Sequence, residues 1–212
     1  IQCCLVGSEM CIRDRHYGGG TWFKAAFLHT FTFLALSFLL VNPPFGDIAA
    51  PELASKWTVV ADDGEELAYP HSMATSGATL TWYTEGSPIL EGEAWLLFGL
   101  MDNVNSDGAV VEVTREYQAN ETIREDNISY WNSNAERIAN GTSTSNKSAP
   151  NLTPHGDLDQ PFSVYLGTDL EEGTHKIVVK ITEEGDPWKN VQRYTWNLVI
   201  SSESAVQDSM SE

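Results

Sequence analysis

The sequence predicts an all-β domain, a two-sheet antiparallel sandwich of about seven strands, preceded by one hydrophobic N-terminal helix. Three observations lead there. Short segments that alternate apolar and polar residues recur along the chain, the pattern of half-buried strands. Turn residues, not helical segments, separate them. An uncharged run from Ala25 to Val41 stands ahead of all of them.

The clearest alternation lies between Gly173 and Ser201. His175, Ile177, Val179 and Ile181 share one face, with Lys176, Lys180 and Thr182 on the other. Tyr194, Trp196, Leu198 and Ile200 oppose Arg193, Thr195 and Asn197 in the next strand. Glu183 to Asn190, containing a Gly and a Pro, joins them as a hairpin loop. This hairpin reads as the closing edge of the core, faced by Leu80, Trp82 and the Trp95–Met101 strand.

The other strands follow in chain order. Lys56–Val60 is a first strand, closed by Asp62-Asp63-Gly64, and Glu65 to Gly77 reads as irregular. Ala78–Thr84 alternates, placing Leu80 and Trp82 together. Ala94–Met101 is continuously apolar, and its short length with Gly99 inside favours a buried strand over a helix. Ala109–Arg115 is rich in β-branched residues. Phe162–Gly167 resumes the pattern. Between them, 116–160 is a polar insertion in which Ile128, Tyr130 and Trp131 suggest a short strand and Ala135–Ala139 a helical turn. The β domain is therefore expected over 51–201, with 202–212 a disordered polar tail.

The run Leu170-Glu171-Glu172-Gly173-Thr174-His175-Lys176-Ile177-Val178-Val179, then Tyr194-Thr195-Trp196-Asn197-Leu198-Val199-Ile200, resembles the last two strands of immunoglobulin-like modules of prokaryotic surface proteins. Polycystic-kidney-disease-type and fibronectin-like domains are the nearest types. The resemblance covers about 30 residues and lacks the Cys…Trp…Cys signature of antibody domains. It implies an immunoglobulin-like sandwich with a spacer, adhesion or ligand-binding role. No internal repeat accompanies it.

The N-terminal region carries an address. Residues 1–15 stand apart, because Gly7 to Arg15 resembles the conceptual translation of a sequencing adapter. On that reading Cys3, Cys4, Cys11 and two arginines carry no functional weight. The remaining chain has no cysteine, so no disulfide framework or Cys metal site exists there. Residues 16–50 then read as a signal peptide or membrane anchor. The apolar run is intermediate between the length of a signal core and that of a membrane span. Ile48-Ala49-Ala50 ahead of Pro51 offers a cleavage position, while Asn42-Pro43-Pro44 ends the run. Orientation rests on Lys24 alone. Either reading makes the protein secreted or cell-surface, with membrane contact only through this segment.

Charge narrows the partners. Nine of the 12 Lys/Arg and 27 of the 30 Asp/Glu lie from Pro51 onward, within a net charge of −18. That field repels phosphate backbones and argues against nucleic acid. Five N-glycosylation sequons, at Asn120, Asn127, Asn140, Asn146 and Asn151, fall in the polar insertion and point to an exported glycoprotein surface. Pro154 directly follows the last of them.

Candidate binding chemistry is sparse. Asn103-Val-Asn105-Ser-Asp107-Gly108 follows the opening of a calcium loop, with Asp102 adding a carboxylate, but Thr114 stands where a bidentate Glu belongs. A hairpin turn using Gly108 accounts for the same residues. Ca2+ at this turn is the one cofactor the sequence offers. Trp131 and Trp188 lie in polar segments and could stack on sugar rings. No G-x-S-x-G, P-loop, G-x-G-x-x-G or H-E-x-x-H motif occurs, so no enzyme is expected. A concave pocket holding a His with a paired carboxylate would reopen that question. The reading is a non-enzymatic structural or interaction module facing an extracellular protein or glycan. The alternative is a carbohydrate- or calcium-dependent binding module.

Overall fold

The computed structural model describes residues 18–42, 45–102, 108–123, 128–141, 143, 147–186 and 188–203. It divides into an N-terminal unit ending at Asp47 and a second unit from Ile48 onward. The first holds helix α1 (Gly19–Leu40), 22 residues long with none buried. At 1.5 Å per residue it is about 33 Å long, enough to cross a hydrocarbon core of about 30 Å. Phe23, Phe27 and Phe31, four apart, stack in series at 6.4 and 6.3 Å between ring centroids. The Asn42 side chain donates to the Phe38 carbonyl at the helix end (2.6 Å).

The second unit is built from two sheets. Its strands are β1 (Glu52–Asp62), β2 (Leu67–Ala68), β3 (Thr79–Tyr83), β4 (Ile89–Met101), β5 (Val110–Tyr117), β6 (Ala119–Ile123), β7 (Gln160–Glu171), β8 (Gly173–Glu183) and β9 (Asn190–Ser201). Sheet one has the order β2-β1-β4-β7 and sheet two the order β3-β9-β8-β5-β6. Two short helices, α2 (Ile128–Ser133) and α3 (Ala135–Asn140), follow β6. Strands are longer than the sequence patterns suggested, and β2 and β6 add two. Both additions are short and lie in segments whose polarity hid them.

The main core lies between the sheets. From sheet one come Trp57 and Val59 of β1, Leu96, Phe98 and Leu100 of β4, and Phe162, Val164 and Leu166 of β7. Sheet two supplies Leu80, Trp82, Val111, Val113 and the inward series of β8 and β9. Trp57 stacks on Trp196 at 4.8 Å and 6°, with the Phe98 ring set edge-on to Trp196. This central layer holds one large aromatic from each of β1, β4 and β9.

Three expectations are corrected. The β8–β9 hairpin is interior and not an edge, since β3 flanks β9 and β5 flanks β8. Leu80 and Trp82 accordingly stand beside the hairpin in the same sheet, and the facing layer is β1, β4 and β7. One pair is parallel: β3 runs beside β9 with Leu80 opposite Leu198 and Trp82 opposite Ile200. The chain reaches β3 by crossing from sheet one, and no hairpin turn constrains its direction. Trp57 guides the crossing, exchanging backbone hydrogen bonds with Thr75 and donating its indole N–H to the Gly77 carbonyl (2.8 Å). Third, Ile128, Tyr130 and Trp131 lie on α2, because three residues without an alternating partner do not establish a strand.

The apolar run of β4 is continuous because both faces are covered. Trp95 and Leu97 point away from the main core into a second cluster with Val60, Leu67, Tyr69, Met73, Ile138 and Leu152. The Tyr130 ring lies flat on Trp95 at 3.8 Å, and the Tyr69 hydroxyl donates to the Ile138 carbonyl (2.8 Å). Gly99 leaves room for the cover, since a Cβ there would stand 2.3 Å from the Leu152 carbonyl oxygen. Asp62, on β1, ties the cover down. Arg137 donates to both its carboxylate oxygens (2.7 and 3.1 Å), and the Tyr130 hydroxyl donates at 2.9 Å. Burial pushes the Asp62 carboxyl up, but the bonds from Arg137, Gly64 and Tyr130 outweigh it and hold the pKa below its ordinary value.

At the β7–β8 corner His175 is 1% exposed. Its Nε2–H donates to the Glu171 carbonyl (2.8 Å), and its ring stacks on Tyr117 at 4.2 Å. Gly173, at φ +135°, makes the corner. Burial lowers the His175 pKa below its ordinary 6.5, Arg115 works in the same direction, and the Glu171 carbonyl and carboxylate oppose both. The unfolded chain therefore takes up a proton before the folded one does. Stability from this corner is full above about pH 6.5 and declines as pH falls from there toward the lowered native value. Thermal melts should show this acid-side loss, and His175→Gln, which keeps an N–H donor without titrating, should flatten it. An unchanged pH profile in the variant would contradict this assignment.

Candidate functional site

Sheet one ends in a cleft. Glu52, at the start of β1, is opposite Met101 at the end of β4, and Leu100 is opposite Gln160 at the start of β7. Just before β7 the chain forms a single 3-10 turn, Gly156–Leu158. The three ends surround a cavity of about 350 Å³ lined by Ala49, Ala50, Glu52, Met101, Asp102, His155, Leu158 and Asp159. That volume lies at the small end of the range for ligand pockets.

The turn brings His155 and Asp159 together. The Asp159 side chain is fully buried while that of His155 is about half exposed. The carboxylate accepts from the His155 backbone N–H (2.8 Å) and from Nδ1 (3.1 Å to each oxygen). A carboxylate only accepts, so Nδ1 carries the proton and Nε2 is the acceptor in the neutral ring. This is the pocket-borne His–carboxylate pair that the sequence left as a condition. Among the described residues, the cavity lining holds no Ser, Thr, Cys or Lys beside the imidazole.

Asp102 also stands near a residue from the other sheet. One carboxylate oxygen of Asp102 and one of Glu183, the last residue of β8, lie within 4.8 Å of each other, and Glu183 is 4% exposed. Two carboxylates this close concentrate negative charge where the end of β4 meets the end of β8. In chelator at pH 7, Asp102→Asn should raise the melting temperature by roughly 2–4 °C, corresponding to about 1 kcal/mol. A fall of similar size would show that the acidic pair is stabilising without a cation.

The sequence candidates are dispersed. Asp102 closes β4, whereas Asn103, Asn105 and Asp107 lie outside the described residues. Trp131, on α2, is half-buried against the second cluster. Trp188, in the β8–β9 connection, is 59% exposed. Each therefore belongs to a different sheet's surroundings. Asn140, at the end of α3, and Asn151 are exposed, and Asn120 lies in β6 opposite Glu116. Asn127 and Asn146 fall outside the described residues. Sequence reasoning missed Glu52, His155, Leu158, Asp159 and Glu183 as neighbours of Asp102. A local signal existed only for the i,i+4 pair His155/Asp159 around Gly156.

No family model matches the chain, and no curated protein or solved structure matches it.

Proposed function

We propose that the protein is an exported, non-enzymatic interaction module with an immunoglobulin-like fold, facing an extracellular protein or glycan. The observation that carries export is α1, a 22-residue apolar helix with no buried residue. Such a helix is at home in hydrocarbon and costly in water. It serves as a cleaved signal or as a tether to the membrane.

The strand order supports the immunoglobulin-like reading. β1, β4 and β7 act as the A, B and E strands of one sheet. β3, β9, β8, β5 and β6 act as A′, G, F, C and C′ of the other, with A′ parallel to G. The His175 bond to the Glu171 carbonyl occupies the corner that immunoglobulin-like domains give to a tyrosine on strand F. Trp57 and Trp196, from the strands read as A and G, stack between the sheets in a core without a disulfide. Helices α2 and α3 take the place of a D strand in chain order, and they lie over the outer face of β4. The acidic surface keeps such a domain soluble and selects against anionic partners.

Fractionation of cells expressing the full chain tests export. The protein is expected in either of two forms: soluble outside the cytoplasm with its N-terminus near Pro51, or full-length in membranes and resistant to alkaline extraction. A full-length soluble cytoplasmic protein would overturn the proposal.

A further inference from the structure

Sheet two ends in an open edge at β3, which is bonded to β9 on one side; among the described residues no strand lies on its other side. The parallel ladder begins where Asn197 N–H donates to the Ala78 carbonyl and ends where Thr84 N–H donates to the Ser201 carbonyl. Backbone groups alternate sides along a strand. Leu80 and Trp82 therefore turn theirs to β9, while Thr79, Thr81 and Tyr83 turn theirs to the open edge. A groove of about 400 Å³ runs there, between the same three residues and the segment His71–Thr75. From Leu67 to Thr84 the sequence has no Asp, Glu, Lys or Arg, the longest such run in the β unit. The other edge strands carry the features that discourage pairing. β2 is two residues long, β6 contains Glu121, and β7 combines Pro161, a register shift between Tyr165 and Gly167, and a positive φ at Asp169. β3 has no charge, no proline and no bulge.

We propose that β3 pairs with the β3 of a second copy of this chain, antiparallel about a two-fold axis at Thr81. Two five-stranded sheets then join into one. In that register Thr81 is opposite its own counterpart, and Thr79 is opposite Tyr83 of the partner subunit. Each such pair exchanges two backbone hydrogen bonds, so every outward N–H and C=O of the three residues gains a partner. An antiparallel copy offers the same groups in reverse order, which makes the edge self-complementary. Charge favours this edge over the rest of the surface. Chains of net charge −18 repel one another, and here their backbones meet without opposing carboxylates. Cross-strand Thr–Thr and Thr–Tyr pairs add favourable side-chain contact. The pairing closes at two copies, because each chain has one β3 and the axis uses both. A five-residue pair is small for a specific interface, so the dissociation constant is on the order of 10–100 µM.

The test is sedimentation velocity of the full chain in detergent micelles, over roughly 5–500 µM, with amide hydrogen exchange at Thr81 followed in parallel. A monomer–dimer equilibrium is expected, with Thr81 exchange slowing as the dimer forms. Thr81→Pro deletes the outward N–H and no bond to β9, a change an edge strand tolerates. Thr81→Lys leaves the backbone intact and sets two ammonium groups opposite each other across the axis. Each should weaken association at least about tenfold while the thermal melt is retained. Thr81→Glu should do the same alone, and an equimolar mixture of the Thr81→Lys and Thr81→Glu chains should dimerise again. Association through α1 would survive all three substitutions and leave Thr81 exchange unchanged, and that result overturns the proposal. A monomer over the whole range overturns it as well: fast Thr81 exchange leaves the edge open, and slow exchange places a segment of the same chain on it. Failure of the two oppositely charged chains to pair when mixed also overturns it.

Discussion

Strand β4 must be covered on both faces, and the rest of the β unit depends on how that is done. Its even-numbered residues Leu96, Phe98 and Leu100 fill the space between the sheets, while Trp95 and Leu97 face the other way. Left open, that outer face would be an apolar patch on an otherwise highly charged surface. The polar insertion supplies the cover, with Tyr130 on Trp95 and Ile138 and Leu152 beside Leu97. The ionic link from Arg137 to Asp62 fixes the cover to β1. A buried carboxylate is a liability without its partner, so the link specifies position more than it adds net stability. The insertion is thus a third layer, and its polarity belongs to its solvent side.

That layer also explains where the cleft arises. After crossing the outer face, the chain passes over Gly99 at Leu152 and must then turn to enter β7 beside β4. The His155–Asp159 turn performs this reversal, and the same hydrogen bonds that close the turn set the imidazole beside the strand ends. The acidic residues near by, Glu52, Asp102 and Glu183, come from the ends of three strands in two sheets, so their proximity follows from the topology alone.

Much of the scaffold was legible in the sequence because period-two alternation reports burial directly. β8 and β9 show it cleanly, and the buried series in the structure contains His175, Ile177, Val179, Ile181, Trp196, Leu198 and Ile200 as the alternation implied. The continuous run of β4 was legible as buried, though not what covered its second face. Sheet neighbours were not legible, because alternation says which face of a strand is apolar and nothing about which strand lies beside it. For the same reason β3 went to the wrong layer. The cleft was the least legible feature: Glu52, Asp102 and His155 are about 50 residues apart in turn, and no local pattern links them. The candidate residues that could be read locally, the calcium-like turn and the loop tryptophans, were those that resemble known short motifs.

The three-layer β unit leaves the ends of its strands exposed around the cleft. The claim on which this account stands is that the insertion is a locked structural layer over sheet one. Native-state hydrogen exchange of wild type and Arg137→Ala tests it most directly. The account predicts that the variant loses about 2–3 kcal/mol of protection in α3, β1 and β4. It predicts a smaller loss in β8 and β9. Unchanged protection of β1 and β4 with exchange altered only in α3 would contradict it, because the insertion would then be an ornament and not part of the fold.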